Sequence, residues 1–515
     1  MPNTNETLRR PGDDLRTARE PRDVEHLDVL VVGAGLSGVC AGHHLQTEAP
    51  WARYAIFEAR AAMGGTWDLF RYPGVRSDSD MFTLGFPFRP WKGDRMLADG
   101  PSIRRYIEET AAEEGIDRHI RFHHRVLSAD WSSDEALWHV TAERSDTGET
   151  VQLTCSFLFA CSGYYRYDHG YQPDFPGTES FRGRLLHPQQ WPENLDYTAK
   201  RVVVIGSGAT AITLVPAMAD RAAHVTMLQR SPTYVVSVPE HNPVVSLFAK
   251  LLPGGPAATV ARWVLAVGTQ AFYFLAQRYP HPTKRILRRG VERQLPRGYD
   301  VATHFTPRYN PWDERMCVVP GGDLFRAIRD GKASVVTDEI ATFTETGLRL
   351  RSGTTIEADI VVSATGLELL FLGGISVSVD GEPVELANRL VYQGMMVEGL
   401  PNLAFAIGYT NASWTLKADL TASTVARVLN HLRESGNREC MPVNADSSVR
   451  AEPLLGLKSG YIQRAADRMP KQGTKFPWQV YQSFWRDFRA MRLGRIDDGV
   501  LQFSNPVPAK ERAVA

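Results

Sequence analysis

The 515-residue sequence predicts an α/β protein in which one structural unit occurs twice. The apolar run at residues 27–32 leads directly into the glycine-rich turn GAGLSG, and the run at 201–205 leads in the same way into GSGATA. Short apolar runs of this kind are typical of parallel strands buried on both faces. Each turn opens a helical segment, and a second strand follows each helix. This repeated order indicates two domains of related build.

At the first turn, the glycine spacing is that of a dinucleotide-binding, Rossmann-like fingerprint. Gly33 permits the tight turn, Gly35 lets the backbone approach a pyrophosphate, and Gly38 lets the helix pack closely on the strand. The helix N-terminus adds unpaired N–H groups and a partial positive charge. Glu58 lies 20 residues after Gly38, where an acid accepts hydrogen bonds from ribose hydroxyls. These residues predict a bound dinucleotide without indicating which one.

The second fingerprint consists of Gly206, Gly208 and Ala211, and it differs from the first at the end of the following strand. Nineteen residues after Ala211 the chain carries Arg230 and then Ser231, with no acid. An arginine beside a hydroxyl accommodates a 2′-phosphate, which a carboxylate would repel. The second nucleotide is therefore predicted to be NADPH rather than NADH.

The positions of the two units divide the chain into domains. Strand-like pieces continue the first unit to residues 161–163, and those of the second unit end in the run DIVVSATG at residues 359–366. The stretch from 233 to 315 reads as helical and interrupts the second unit. We therefore predict a disordered tail at 1–26, a first dinucleotide-binding domain at 27–165 and 360–500, a second at 166–232 and 316–359, an all-helical insertion at 233–315, and a tail at 501–515.

Composition and charge exclude several classes of function. Lys and Arg together number 58, as do Asp and Glu, so no basic excess indicates a nucleic-acid partner. The five cysteines include no C-x-x-C pair, which argues against a disulfide framework, a zinc ribbon and a thioredoxin-type centre. Neighbouring histidines such as His43 and His44 point to different sides of an element, so no metal site is predicted. A reducing, cytoplasmic setting fits this use of cysteine.

The chain lacks the patterns of a secreted or membrane-spanning protein. Its first 26 residues are polar and charged, without the apolar core of a signal peptide. The most apolar stretch, residues 257–276, is interrupted by Arg262, Gly268 and Gln270, whereas a membrane span needs about 20 largely uncharged residues. This stretch is predicted to be a buried or amphipathic helix, and an amphipathic helix could contact a membrane surface from outside.

The sequence contains two further motifs, one after the first fingerprint and one between the two fingerprints. In the run GGTWDLFRYPGVRSD, Gly65 and Thr66 belong to a loop that can lie against a flat ligand, Trp67 supplies an aromatic wall, and Asp78 follows the Pro-Gly turn. Between the fingerprints, the run FRGRLLHPQQWP has the pattern F-x-G-x-x-x-H-x-x-x-W-P. The residues at its fixed positions are Phe181, Gly183, His187, Trp191 and Pro192.

Both patterns resemble signatures of type I Baeyer–Villiger monooxygenases, flavoproteins that insert an oxygen atom beside a ketone carbonyl. Runs such as CSGYYRYD and GYTNASWTLKADL are similar to the ethionamide-activating branch of that family, and the likeness extends over residues 27–500. The resemblance implies FAD in the first site and NADPH in the second. It also implies that reduced flavin and O₂ give a C4a-peroxyflavin, which converts ketones to esters or lactones and also oxidises thioether or thioamide sulfur.

Carried over by motif, the catalytic arginine of the family falls on Arg315 in the run YNPWDERMC, and Asp78 is expected to orient it. A fixed positive charge beside a developing oxyanion suits this role. Many family members have Lys before this arginine, in contact with the 2′-phosphate, whereas this chain has Glu314. That departure leaves the preference for NADPH to the second fingerprint. His187 is interpreted as a residue that couples the two domains.

Three other functions share parts of this pattern. A flavin-containing monooxygenase that acts only on nitrogen or sulfur has both nucleotide sites, but Trp191-Pro192 and Asp78 favour the Baeyer–Villiger branch. A pyridine-nucleotide disulfide reductase would need the missing C-x-x-C pair. A flavin-binding redox sensor without turnover would not need Arg315 and Asp78 together. The expected substrates are therefore a small ketone or sulfide and O₂, and the sequence leaves the oligomeric state open.

Overall fold

The computed structural model describes residues 24–93, 95–243, 245, 246, 248 and 255–505. Of the two predicted tails, residues 1–23 and 506–515 lie outside this range. The first strand begins already at Glu25, and the last strand spans Leu501–Ser504. The predicted limits of the first domain at residues 27 and 500 are therefore too narrow, because a strand extends beyond each of them.

The strands range from two to 11 residues, and most belong to one of two large sheets. In chain order they are β1 (Glu25–Val32), β2 (Tyr54–Phe57), β3 (Ile120–Arg121), β4 (His124–Ser132), β5 (Leu137–Arg144), β6 (Thr150–Ala160), β7 (Arg184–Leu186), β8 (Arg201–Ile205), β9 (His224–Gln229), β10 (Val235–Val238), β11 (Cys317–Pro320), β12 (Ala333–Thr337), β13 (Ile340–Thr344), β14 (Gly347–Leu350), β15 (Thr355–Glu357), β16 (Ile360–Ser363), β17 (Ser376–Val379), β18 (Glu382–Pro383), β19 (Val391–Tyr392), β20 (Met396–Val397), β21 (Leu403–Phe405), β22 (Glu439–Pro442), β23 (Ala451–Pro453), β24 (Lys471–Gly473) and β25 (Leu501–Ser504).

The helices range from one turn to 24 residues. They are α1 (Leu36–Glu48), α2 (Thr66–Leu69), α3 (Met81–Leu84), α4 (Gly100–Glu113), α5 (Ala209–Ala219), α6 (Gly255–Arg278), α7 (Pro280–Glu292), α8 (Val301–Phe305), α9 (Asp323–Arg329), α10 (Trp414–Ser435), α11 (Gly460–Ala465) and α12 (Phe484–Asp487). None of the helices in the described part of the chain combines the length and apolar character that crossing a bilayer requires.

One mixed sheet and one parallel sheet form the frame of the molecule. In the first, β21, β6, β1, β2 and β3 run in parallel, and β4 and β5 continue it as an antiparallel meander. The second has the order β12, β9, β8, β16, β7 and is parallel throughout. Val29 and Val31 of β1 pack into one apolar cluster, and Leu30 and Val32 into another. Both faces of the strand are thus buried, as its apolar sequence predicts.

Two predicted boundaries differ from the structure. The sequence prediction places residues 360–363 in the first domain, but they form β16, which pairs with β7 and β8 in the second sheet. The insertion at 233–315 is not all helical, because β10 pairs in parallel with β11 just beyond its far end. The sequence of β10, VVSV, is rich in β-branched residues that favour a strand. Because four residues are too few to show a clear alternation, the sequence pattern does not reveal this strand.

Candidate active site

A cleft of about 600 Å³ lies where the two units meet. Its wall brings together predicted residues from distant parts of the sequence, namely Gly33, Gly35, Glu58, Gly65, Thr66, Trp67, Asp78 and Arg315. Ala209 and Thr210, the first residues of α5, border it on the side of the second unit. The volume is in the usual range of small-molecule and cofactor sites.

The turn between β1 and α1 is closely packed. A Cβ atom on Gly38 would lie 1.8 Å from the carbonyl oxygen of Gly33, and Gly33 itself has a φ of +104°. Within the described residues, no side chain caps the N-terminus of α1. The first N–H groups of this helix can therefore bind an anion, and a pyrophosphate is the group that such turns hold.

Glu58 follows the end of β2 and is almost completely buried. Its two carboxylate oxygens accept hydrogen bonds from the backbone N–H groups of Ala34 (2.8 Å) and Arg60 (3.0 Å). Burial raises the pKa of Glu58, and these two hydrogen bonds oppose the rise because they favour the charged form. The carboxylate is held at the cleft wall with lone pairs left for a ribose hydroxyl.

Arg315 and Asp78 form an ion pair at the wall of the cleft. The Arg315 Nη2 donates to Asp78 Oδ1 over 2.9 Å, and its Nε lies 2.8 Å from Asp78 Oδ2, so both carboxylate oxygens are engaged. The charge of Asp78 raises the pKa of Arg315 well above its ordinary value. The Arg315 side chain is still 34% exposed. Its other N–H groups can therefore reach a molecule in the cleft.

Three tyrosines near Arg315 were not singled out from the sequence: Tyr164, Tyr165 and Tyr461. Tyr164 and Tyr165 lie just beyond the end of β6 and line the cleft, and Tyr461 belongs to α11. Ligands commonly bind at the carboxyl ends of parallel strands, so this position was a usable signal for the first two. Burial raises the pKa of Tyr164 well above its ordinary value, and its phenol stays protonated. Trp414 packs against it, with ring centroids 5.1 Å apart.

The second unit is more open at the corresponding positions. Gly206 has a φ of +130°, whereas Gly208 is exposed, and a Cβ placed on it would meet no described atom within 4 Å. Ala211 is buried inside α5. Arg230 and Ser231 follow β9 and are both exposed. None of these five residues is part of the described cleft wall.

Glu314 lies close to Arg230. Burial raises the pKa of Glu314, and the charge of Arg230 acts in the opposite direction. Glu314, which takes the place of a Lys in many members of the family that this chain resembles, therefore lies near Arg230, the residue expected to hold a 2′-phosphate. A phosphate bound at Arg230 would meet the negative charge of Glu314, which weakens that contact.

The F-x-G-x-x-x-H-x-x-x-W-P run supports the second sheet and is not part of the described cleft wall. His187 Nδ1 accepts a hydrogen bond from the Gln189 N–H, and Nε2 donates to the Gly366 carbonyl, both over 3.2 Å. Burial lowers the pKa of His187, in keeping with a neutral ring. Gly366 lies where the chain leaves β16 for the first unit. The other fixed positions flank β7 and the short 3₁₀ helix after it: Phe181, Gly183, Trp191 and Pro192.

A row of polar side chains joins α1 to α10 outside the cleft. Cys40, His44 and Glu48 are spaced four residues apart on α1, and His44 contacts Glu48 through Nδ1 and Asp419 through Nε2, both over 2.9 Å. Burial opposes the charged imidazole, but hydrogen bonds to Asp419, Cys40 and Glu48 outweigh it and raise the pKa of His44 to about 12. Cys40, His44 and Asp419 carry atoms that could hold a metal ion. Because both ring nitrogens of His44 already form hydrogen bonds to the carboxylates of Glu48 and Asp419, we interpret the group as a buried ion pair.

Two family models and a monooxygenase of known sequence match this chain. Residues 86–392 match the family model for flavin-binding monooxygenase-like proteins, and residues 31–93 match that for an NAD(P)-binding Rossmann-like domain. The FAD-containing monooxygenase EthA of Mycobacterium tuberculosis is 53% identical over 486 residues, which cover 94% of this chain and 99% of EthA. This chain belongs to the flavin-binding monooxygenase-like family.

One further sequence relative and two solved structures are also similar to this monooxygenase. The probable FAD-binding monooxygenase AlmA of Acinetobacter baylyi is 48% identical, over 95% of this chain and 98% of AlmA. Oxidised steroid monooxygenase bound to NADP has a TM-score of 0.73 at 22% identity, over 93% of this chain and 100% of that one. An open form of cyclohexanone monooxygenase has a TM-score of 0.67 at 22% identity, over 81% and 90%. The predicted fold class and the predicted class of enzyme are both confirmed.

Proposed function

We propose that this monooxygenase depends on FAD and NADPH and uses O₂ to convert ketones to esters or lactones, with oxidation of thioether or thioamide sulfur as a second activity. The observation that carries the proposal is the Arg315–Asp78 ion pair at the wall of a cleft shared by two dinucleotide units. In support, its relatives are named as FAD-containing or FAD-binding monooxygenases, and the steroid monooxygenase was solved with NADP.

FAD fits the first unit. A Cβ on Gly65 would lie 3.2 Å from Gly35 Cα, so glycine at both positions keeps this stretch of the cleft open for a flat group. The pyrophosphate would bind the uncapped N-terminus of α1. Glu58 would accept a hydrogen bond from a ribose hydroxyl, and Trp67 would pack beside the flavin ring system. When bound, the flavin, reduced by NADPH, activates O₂ and supplies the oxygen atom that is transferred.

NADPH fits the second unit. The N-terminus of α5 also has no side-chain cap among the described residues, and Gly208 leaves its surroundings open for a pyrophosphate. Arg230 and Ser231 would hold the 2′-phosphate. Ala209 and Thr210 of the same helix border the cleft, so a nucleotide at this end lies beside the proposed FAD site.

Arg315 carries the chemistry that the chain itself supplies. Its charge is permanent because Asp78 raises its pKa further above an already high value. A fixed cation at the cleft wall stabilises the negative charge that develops on oxygen as a carbonyl is attacked. Asp78 holds the guanidinium in one orientation through both of its oxygens. The aromatic side chains of Trp67, Tyr164 and Trp414 keep water away from the reacting atoms.

Arg315→Ala tests this proposal directly. We expect anaerobic flavin reduction by NADPH to stay near the parent rate, because that step needs no oxyanion stabilisation. Ester formation should fall about 100- to 1,000-fold, the usual effect of removing one such group, while NADPH is still consumed. Stopped-flow absorbance follows the reduction, and gas chromatography follows the ester.

The matched control is Arg76→Ala. Arg76 also lines the cleft, but it is paired with Asp323 instead of Asp78, so ester formation should change little. Ester formation at the parent rate in Arg315→Ala would overturn the role given to Arg315.

The proposed setting is the cytoplasm. All five cysteines are buried free thiols, as is usual in a reducing compartment. The proposed substrates are small ketones and sulfides, which suit a cleft with aromatic walls.

A further inference from the structure

The outer face of α6 exposes apolar side chains that no other described element covers. Val264, Val267, Phe274 and Leu275 are 42%, 41%, 51% and 57% exposed. At 3.6 residues per turn, these four positions fall within an arc of about 100° and so lie on one side of the helix. Gly268 and Ala271 lie between them on the same side and are also exposed. Large exposed apolar side chains are concentrated on this helix, and contiguous patches of this kind mark interaction sites.

The opposite face of α6 is fixed to the protein. Arg262 Nη1 donates to the carbonyl oxygens of Phe82 and Thr83, each over 3.0 Å. Gln270 Nε2 donates to the Gln482 carbonyl over 3.1 Å. Ala266 is buried between them. Because these contacts set the rotation of the helix, it cannot turn its apolar side inward.

A strongly basic segment follows the apolar side directly. Between residues 278 and 297 the only acid is Glu292, and it is paired with Arg288 over 2.7 Å. The chain as a whole carries equal numbers of basic and acidic residues, so this excess is local. The basic residues of the segment are Arg278, Lys284, Arg285, Arg288, Arg289, Arg293 and Arg297.

We propose that α6 and α7 together dock on a membrane that carries anionic lipid headgroups. We call this the α6–α7 surface: Val264, Val267, Phe274 and Leu275 of α6, with Lys284, Arg285, Arg288 and Arg289 of α7. An apolar side with basic residues next to it is the arrangement of helices that lie in the membrane interface. A second copy of the chain fits this surface poorly, because pairing would bring two basic segments together. The inference does not depend on the reaction proposed above.

Co-sedimentation of the holoprotein with lipid vesicles tests the inference. We expect binding to phosphatidylcholine vesicles with about 30% phosphatidylglycerol and at least tenfold weaker binding to phosphatidylcholine alone. Raising the salt from about 0.1 M to about 1 M should weaken binding to the anionic vesicles. The double variants Phe274→Ser/Leu275→Ser and Arg285→Glu/Arg289→Glu should each bind at least tenfold more weakly.

Two single-site controls carry the same kinds of substitution elsewhere on the surface. Leu127→Ser on β4 removes an apolar side chain that is 37% exposed, and Arg349→Glu on β14 reverses an exposed charge. Both should bind vesicles like the parent. Bound flavin and the thermal midpoint show that each variant is folded. Equal binding by the parent and both double variants would overturn the inference, as would no binding by the parent. Dissociation of a parent oligomer by Phe274→Ser/Leu275→Ser, seen by light scattering, would assign the surface to a second copy instead.

Discussion

The two dinucleotide units begin alike and differ in how far their surroundings close over them. In the first, α1 is buried along most of its length, and Glu58 is only 5% exposed. In the second, Gly208, Arg230 and Ser231 are all exposed. The same turn is therefore enclosed in one half of the molecule and open in the other.

This difference in burial bears on how long each site would hold its nucleotide. A nucleotide in the first unit would be enclosed by α1, by α10 and by the segment after β2 that carries Trp67. It could leave only after these elements move apart. A nucleotide held at an open helix N-terminus and an exposed arginine can exchange during each reaction cycle. We infer that the first unit is built for a resident cofactor and the second for one that comes and goes, which is the division of labour expected of FAD and NADPH.

The largest effect on stability and flavin binding is expected from a side chain that blocks the close approach of Gly38 to Gly33 in the first unit. Gly38→Val would place a Cβ 1.8 Å from the Gly33 carbonyl oxygen, so the helix must move away from the strand. We expect a loss of more than about 4 kcal/mol in the free energy of unfolding and no bound flavin. Thermal unfolding and the absorbance ratio of flavin to protein measure both.

The second unit offers the control for that change. Gly208→Ala adds a Cβ where no described atom lies within 4 Å, and we expect a cost within about 1 kcal/mol and full flavin content. Flavin retention by Gly38→Val equal to that of Gly208→Ala would contradict the close packing of Gly38 against Gly33.

A smaller effect, confined to the open unit, is expected from Arg230→Ala. A charge-assisted hydrogen bond contributes about 1.5–3 kcal/mol, so KM for NADPH should rise about 10- to 100-fold while KM for NADH changes little. Glu314→Gln should act in the opposite direction, because it removes the negative charge beside Arg230. Steady-state kinetics with both nucleotides measures the ratio. An equal rise of both KM values would contradict the phosphate role of Arg230.

The smallest effect concerns the ion pairs that close α1 against α10. The pKa of His44 is raised to about 12 in the folded protein and is near 6.5 when unfolded. The stabilisation is therefore complete below about pH 6.5 and is lost as the pH rises toward 12. Relative to His44→Gln, the parent should lose about 1.2 kcal/mol between pH 7 and pH 8, measured by urea unfolding.

His43→Gln is the neighbouring control for this pH dependence. Burial lowers the pKa of His43, so its ring is already neutral above pH 7 and the slope should match that of the parent. A parent slope equal to that of His44→Gln would show that the α1–α10 contact holds no charged histidine.

Features with a local pattern could be predicted from the sequence. The predicted strand at 201–205 has the bounds of β8, and the predicted strand at 27–32 lies within β1. Each apolar run is buried on both faces and ends in a glycine turn, so sequence and structure carry the same signal. Arg315 and Asp78 lie 237 residues apart, and only the family resemblance connected them.

Features formed by long-range packing could not be predicted. Tyr461 approaches Arg315 from a helix in the last fifth of the chain, and no periodic pattern marks it. Cys40, His44 and Glu48 do show a four-residue spacing, but their partner Asp419 is 375 residues from His44. Such contacts depend on how α10 folds back on α1, which local propensity does not encode.

Oxygen insertion into a ketone is the central claim, and labelled oxygen tests it most directly. The purified holoprotein with NADPH under ¹⁸O₂ is given linear, cyclic and aryl ketones and a thioether, and the products are analysed by mass spectrometry. We expect esters or lactones that carry one ¹⁸O atom, together with labelled sulfoxide. Labelled sulfoxide with every ketone left unchanged would contradict the claim and assign the enzyme to oxidation of sulfur alone.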